Sequence, residues 1–406
     1  MPVETKRGRP RLLIWLAILV VAVLAVATGP ASSTVEARGK PPKPTPTATP
    51  SPTATPTLAE VSIFGAWHCS DDYCTWGRVR EVEEFDVMNH WLIDRDGAGS
   101  DPSVNVVVLA FVNPLTLQLE TALDGDHVVG NPLAGIPVGM TQEIIDYFTA
   151  HDVRVMLSIG GITYTDDWNA ALSMGGRELG LKAAAVAATL GVGIEIDYEE
   201  NTDPDLVELE QFIRAYRSVH PFAPSNPAME RRLTIDTAAG DRWLIALNRK
   251  ATEDWLRSED HADGQDPAIA LDWANAMVPA RQPSLDKAIA NWQEHIDGKP
   301  QYAPPVPPLA PAKFTGGLYL AEGNRVRPEC VDFDSSLQKA TETFVRTAAP
   351  DGAGTTTGML GWMLWAAEYP STRGVGTQPP NTCEDGMGAA ASAFDIPIPM
   401  PALRQE

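Results

Sequence analysis

Positive charge is scarce in this sequence. Its 406 residues include 31 Lys and Arg against 53 Asp and Glu, which gives a formal net charge of −22. Residues 1–57 hold seven basic and two acidic residues, so residues 58–406 carry −27. Because so acidic a body repels phosphate backbones, we exclude nucleic acid as a partner.

Cofactor and metal signatures are missing as well. No GxGxxG follows the first apolar run, which excludes the usual dinucleotide-binding fingerprint. His68 stands beside Cys69, but no second His lies at ligand spacing from this pair, so we expect no metal site. The sequence therefore predicts a protein that works without a cofactor.

The N-terminal region has the features of an export signal. Basic residues at 6–11 precede 16 consecutive apolar residues at 12–27, and Val35-Glu36-Ala37 offers a cleavage site. The run is short for a spanning helix, which needs about 20 residues, but it leaves an uncleaved anchor open. We predict that residues 1–37 are a signal peptide or an N-terminal membrane anchor and that the protein is secreted or extracellular.

A Pro- and Thr-rich linker follows the leader. Residues 41–57 contain seven Pro and six Thr and no large apolar side chain. Such a segment forms an extended spacer because it has neither backbone donors for regular structure nor apolar groups to bury. We assign residues 38–57 to this linker and residues 58–406 to the folded domain.

Four cysteines allow three disulfide pairings: Cys69, Cys74, Cys330 and Cys383. In an exported chain the simplest pairing joins Cys69 to Cys74 and Cys330 to Cys383. The first bridge would pin a short loop, and the second would tie two late loops together.

The folded domain repeats a strand–helix unit. Eight apolar, β-branched runs begin 38 to 49 residues apart, at Val61, Val104, Val153, Val192, Arg232, Ala270, Phe314 and Gly358. Helical stretches separate several of them, at Gln142–Ala150, Gly176–Leu190, Asp205–Ser218 and Leu285–Ile296. Eight alternating units predict an α/β protein of the (β/α)₈ TIM-barrel class, in which chemistry sits at the carboxyl ends of the strands.

The fourth predicted strand carries three acidic residues on one face. Strand side chains alternate, so Glu195, Asp197 and Glu199 share one face, opposite Ile194, Ile196 and Tyr198. The apolar set suits the helix-covered outside of a barrel, which places the carboxylates inside, about 6–7 Å apart from one to the next. Because buried like charges cannot all ionise cheaply, at least one should hold a proton near neutral pH.

Three segments together resemble a known family. Ser158-Ile159-Gly160-Gly161 closes the third strand, the acidic ladder closes the fourth, and Gly361-Trp362-Met363-Leu364-Trp365 forms the eighth. They are similar to the SxGG motif, the DGxDxDxE motif and the closing strand of glycoside hydrolase family 18, the chitinases and endo-β-N-acetylglucosaminidases. The resemblance covers about Val61 to Glu368.

The resemblance implies roles for these residues. Glu199 would be the general acid, Asp197 would orient the 2-acetamido group of the substrate, and Glu195 would exchange a proton with Asp197. The carbonyl oxygen of that acetamido group would be the nucleophile, with retention of configuration. Trp365 would floor the sugar site beside Gly160 and Gly161, and Trp67 either extends that floor or belongs to the core.

The sequence departs from the family pattern at two strands. Val192 and Glu195 replace the first two Asp of the ladder. On the sixth strand, Met277-Val278-Pro279-Ala280 stands where the family has Met-x-Tyr-Asp. Substitute donors to the acetamido carbonyl are Tyr164, Tyr319, Arg281 and Gln282. Glu322 and Glu368 are the alternative carboxylate nucleophiles.

Two functions from different classes follow. The first is an exported, monomeric glycosidase that acts on β-linked N-acetylglucosamine glycans, including a wall-directed variant with the same chemistry. The alternative is a carbohydrate-binding barrel without catalysis, which the missing Tyr of the sixth strand favours and the retained Glu199 disfavours.

Overall fold

The structure is a computed structural model. It describes residues 59, 61–69, 82, 86, 92–93, 102, 104–119, 123–124, 127–128, 138–238, 243–257, 264–277, 285–319, 335–354 and 356–365. All of them belong to one compact unit, Thr55–Glu406. The predicted leader and linker lie outside the described residues. Within the described residues, no helix has both the length and the apolar character needed to cross a membrane.

Eight parallel strands close into a barrel. They are β1 (Ile63–Cys69), β2 (Val106–Val112), β5 (Arg154–Gly160), β6 (Gly193–Asp197), β7 (Leu233–Thr237), β8 (Ala274–Ala276), β9 (Phe314–Tyr319) and β10 (Gly361–Trp365). Each strand pairs with its neighbours in chain order, and β1 pairs with β10 to complete the circle. A two-stranded sheet of β3 (Leu123–Asp124) and β4 (His127–Val128) lies apart from the barrel sheet. The predicted TIM barrel is confirmed.

Helices follow the strands. They are α1 (Pro114–Leu119), α2 (Val138–Thr149), α3 (Thr165–Leu190), α4 (Leu206–Val219), α5 (Ile245–Lys250), α6 (Leu285–Asp297) and α7 (Ser335–Thr347). The four predicted helices are present, but α3 begins 11 residues before the predicted Gly176. Gly175 explains the difference, because its φ of 136° bends α3 and interrupts the apolar periodicity there.

The core lies between the barrel and the helices. On β6, Ile194, Ile196 and the following Tyr198 are buried in one cluster with Trp168 and Phe212 of α3 and α4. The Trp168 ring lies 5.6 Å from Tyr198 and 5.8 Å from Phe212, as ring-centroid distances. Because strand side chains alternate, the opposite face of β6 points into the barrel.

A buried ion-pair cluster fixes the start of β7 against β8. Arg217 and Arg232 both bind Asp272, each at 2.8 Å. The same Asp272 accepts the backbone N–H of Leu233 at 2.8 Å. This cluster supports the pairing of Asp236 with Asn275 further along the two strands.

Candidate active site

Glu195 lies in the barrel interior, fully buried. Its two carboxylate oxygens accept from different strands: Oε1 from the indole N–H of Trp67 at 2.9 Å, and Oε2 from Nδ2 of Asn275 at 2.5 Å. Burial raises its pKa, and these hydrogen bonds act in the opposite direction. Glu195 is therefore held rigidly by donors from β1 and β8.

The orientation of the Asn275 amide is set by two further donors. Its Oδ1 accepts from the indole N–H of Trp273 at 2.8 Å and from the hydroxyl of Thr315 at 2.6 Å. With Oδ1 occupied, Nδ2 must face Glu195, where it acts as a donor. These hydrogen bonds thus join side chains of β1, β6, β8 and β9 around Glu195.

Asp197 ends β6 beside the SxGG segment. Its backbone carbonyl accepts from Gly161 N–H at 3.0 Å and from the Trp168 indole at 3.0 Å. Gly160 faces the same carbonyl and has a φ of 120°, so a side chain there would overlap both Asp197 and Trp168. The two glycines therefore bring β5 close enough to clamp the strand end that carries the acidic ladder.

The Asp197 side chain is almost completely buried, and its Oδ1 has no hydrogen-bond partner among the described residues. Burial raises its pKa well above the usual value, and the neighbouring Glu199 and Glu195 raise it further. A polar atom buried without a partner costs free energy, so this oxygen is available to accept a hydrogen bond from a further donor.

Glu199 stands just beyond β6, where it is half-buried at the mouth of the barrel. Burial raises its pKa to about 7, while hydrogen bonds from the Ile162 backbone N–H and the Trp243 side chain lower it. A carboxylic acid with a pKa near neutrality is suited to donate a proton near physiological pH.

Trp243 approaches Glu199 from the loop after β7. The neighbouring Leu244 donates its backbone N–H to Oδ1 of Asn201 at 2.7 Å, which ties this loop to the segment after β6. Trp243 is 40% exposed. The sequence contains no pattern that marks it, because its place beside Glu199 comes from packing between two loops.

An aromatic group borders the carboxylates. Trp365 ends β10 partly exposed, and its ring stacks on Phe111 at 6.0 Å with planes 28° apart. Tyr164 packs on the same cluster from the turn after β5. Trp67 is 2% exposed and meets Trp365 edge-on at 6.2 Å. The structure therefore places Trp67 in the core, as a donor to Glu195, and leaves Trp365 at the surface.

Another buried carboxyl lies beside the ladder on the next strand. Asp236 on β7 is 2% exposed and is hydrogen-bonded to Glu195. Sequence reasoning missed it, although the pattern of β7 contains the signal. Leu233 and Ile235 alternate with Thr234 and Asp236, which places the two polar residues inside the barrel.

Several predicted residues lie outside the described part of the chain. They are Gln282, Arg281, Glu322, Glu368, Cys74, Cys330 and Cys383, together with the side chains of Cys69 and Tyr319. The disulfide pairing and the donors expected after the sixth strand therefore stay predictions.

Solved structures similar to this chain are chitinases. A GH18 chitinase from Pseudoalteromonas aurantia has 13% identity and a TM-score of 0.40 over 75% of this chain and 94% of its own. A chitinase from Rhizomucor miehei has 12% identity and a TM-score of 0.41 over 81% and 98%. One from Bacteroides thetaiotaomicron has 14% identity and a TM-score of 0.38 over 75% and 89%.

No protein-family model matches the chain, and no curated protein matches it either. The chitinase from Pseudoalteromonas aurantia is a GH18 enzyme, the family that the sequence motifs resemble. The three chitinases are 12–14% identical to this chain, with TM-scores of 0.38 to 0.41. The function of the chain is therefore argued from the residues of its own site.

Proposed function

We propose that the protein is an exported glycoside hydrolase that cleaves β-linked N-acetylglucosamine glycans by substrate-assisted, retaining hydrolysis. One observation carries the proposal: a half-buried acid, Glu199, lies at the barrel mouth two residues after the buried Asp197. Its pKa of about 7 suits the protonation of a leaving group.

In the first step, Glu199 protonates the glycosidic oxygen as the bond to the anomeric carbon breaks. The acid is half-buried, so the transfer takes place in a site with little water and needs no rearrangement. After the leaving sugar departs, the ionised Glu199 accepts a proton from water, and that water attacks the anomeric carbon. The same group thus serves as acid and then as base.

Asp197 acts on the acetamido group of the substrate. In substrate-assisted hydrolysis the carbonyl oxygen of this group attacks the anomeric carbon, and positive charge develops on the resulting ring. That charge favours the ionised form of Asp197, whose pKa burial and the neighbouring carboxylates otherwise raise. The unpartnered Oδ1 of Asp197 is the acceptor that the acetamido N–H would meet.

The aromatic border is consistent with a sugar substrate. Trp365 presents a partly exposed ring that packs on Phe111 and on Trp67, the donor to Glu195. A flat apolar face suits the C–H groups of a pyranose ring. The net charge of −22 favours a neutral polymer over an anionic one.

The first prediction concerns substrate choice. The purified chain should cleave N-acetylglucosamine oligomers and leave cello- and xylo-oligomers intact, because only the former carry the internal nucleophile. Mass spectrometry of the products, with a thiazoline mimic of the cyclised sugar as inhibitor, measures this. Equal cleavage of unacetylated glucans, or a covalent glycosyl ester at Glu322 or Glu368, would refute the substrate-assisted reaction. Binding of chitin without cleavage of any glycan would support the carbohydrate-binding alternative.

The second prediction concerns pH. Because Glu199 must be protonated to act as the acid, the basic side of the kcat/KM profile should be half-maximal near pH 7 and fall about tenfold per pH unit above about pH 8. In Trp243→Phe the basic limb of the pH–rate profile should move to higher pH by up to about one unit. The indole N–H that this variant lacks stabilises the ionised form of Glu199 in the wild type. A pH–rate profile of both proteins measures the shift.

The design separates two roles of the Trp243 side chain. Phe keeps an aromatic face at this position and removes only the donor, whereas Trp243→Ala removes both. We therefore expect KM to rise in the Ala variant alone and the limb to move in both variants. An unchanged limb in Trp243→Phe would show that this hydrogen bond does not set the pKa of Glu199.

A further inference from the structure

Asp236 is a buried acid that the reaction described above does not use. It lies on β7, paired with Asn275 of β8, and is buried like Glu195 and Asp197 of β6. The titratable groups that act on it are Glu195, Asp197 and Glu199, and β8 presents only the amide of Asn275. Its Oδ1 has no hydrogen-bond partner among the described residues.

The contact between Asp236 and Glu195 requires a proton. A pair of ionised carboxylates has no hydrogen to share, so two carboxyl groups joined by a hydrogen bond hold at least one proton between them. The two side chains cannot form a salt bridge, because both are acids.

The hydrogen-bond partners indicate which group holds that proton. Glu195 already accepts from Trp67 and Asn275, two donors that favour its ionised form. Asp236 has no such donor among the described residues, and three acidic neighbours oppose its ionisation. The proton therefore belongs on Asp236, which donates to Glu195.

We propose that Asp236 is a positioning residue that, as a neutral acid, donates a hydrogen bond to Glu195 and holds it ionised and fixed behind Asp197. This inference rests on the proposed function for its catalytic consequence. This donor spreads the charge of Glu195 away from Asp197, so Asp197 meets less repulsion when it ionises to stabilise the cyclised acetamido group.

The location of the proton is tested without any substrate. A carboxyl that stays protonated in the folded chain and ionises in the unfolded chain binds more protons when folded, so it lowers stability as pH rises above about 4. Asp236→Asn removes this proton. Between pH 5 and 8 the unfolding equilibrium constant of the wild type, divided by that of Asp236→Asn, should therefore rise by up to about tenfold per pH unit.

The matched control is Asp286→Asn, the same substitution at an exposed position on α6. The unfolding equilibrium constant of the wild type divided by that of Asp286→Asn should stay constant across the same pH range. An infrared difference spectrum gives an independent readout: the wild type minus Asp236→Asn at pH 8 should contain the carbonyl band of one protonated carboxylic acid. A level ratio for Asp236→Asn would place the proton elsewhere and overturn the proposal.

The positioning role is tested by removing the hydrogen-bond donor at position 236 and by replacing it with an amide donor. Asp236→Ala should lower kcat by about 10–100-fold, the effect of losing a hydrogen bond to a charge, with KM little changed. Asp236→Asn keeps an N–H donor without an ionisable proton and should restore most of that loss. If both variants turn over like the wild type, Asp236 has no positioning role. If the wild type cleaves no glycan, the proposed function fails, while the unfolding and infrared measurements still decide where the proton lies.

Discussion

Glu199→Gln should reduce hydrolysis of N-acetylglucosamine oligomers by about 10²–10⁴-fold while leaving their binding intact. The amide has the shape of the acid and can accept the same backbone hydrogen bond from Ile162, but it has no proton to give to the leaving oxygen. We expect the loss in kcat and not in the dissociation constant, measured by initial rates and by isothermal titration of the same oligomer.

The adjacent Glu200 supplies the control. Its carboxylate lies outside the barrel, where it accepts from the Thr202 backbone N–H at 2.6 Å and from Asn169 at 3.1 Å. Glu200→Gln makes the same chemical change one residue further along and should leave kcat near the wild-type value. Wild-type rates in Glu199→Gln, or an equal loss in both variants, would contradict the assignment of the acid.

Gly160→Ala should destabilise the chain by about 2–5 kcal/mol and displace the acidic ladder. At φ 120° an added Cβ overlaps the Asp197 carbonyl oxygen and the Trp168 indole, neither of which can move without breaking their hydrogen bond. Thermal unfolding measures the loss of stability. Activity should fall further than the folded fraction predicts, because Asp197 is part of the displaced backbone.

Gly175→Ala separates backbone strain from the overlap. Gly175 has a similar φ of 136°, but a Cβ there would meet nothing within 4 Å. Only the conformational cost of the positive φ remains, roughly 1–2 kcal/mol. Gly175 lies within α3, outside the candidate active site. Equal destabilisation by the two substitutions would mean that strain dominates and that the close approach of Gly160 to Asp197 is not required.

The carboxylate pattern of β6 was readable from the sequence because strand side chains alternate without exception over such a short run. Glu195 and Asp197 face the barrel interior as predicted, and Ile194, Ile196 and Tyr198 face the helices. The same rule applied to β7 identifies Asp236. Asp236 stands alone between Ile235 and Thr237, so it belongs to no acidic motif. The alternation of β7 nevertheless places it in the barrel interior.

The burial of Trp67 could not be predicted from its own neighbourhood. It ends an apolar strand next to the mouth of the barrel, a place that suits a sugar platform as well as a core residue. Only the closure of β1 against β10 and β2 sets the depth of the ring, and its N–H then meets Glu195 from the opposite side of the barrel, 128 positions away in sequence.

The sequence by itself determined the architecture and the acidic ladder, because strand periodicity, helix spacing and side-chain alternation are local properties of the chain. Tertiary structure alone decided which groups surround each carboxyl: Trp67, Asn275 and Asp236 around Glu195, and Trp243 beside Glu199. These partners come from different strands and loops, and their effects depend on distance and burial. The pKa of a carboxyl in this barrel, and with it the chemistry open to it, is therefore a property of the closed fold.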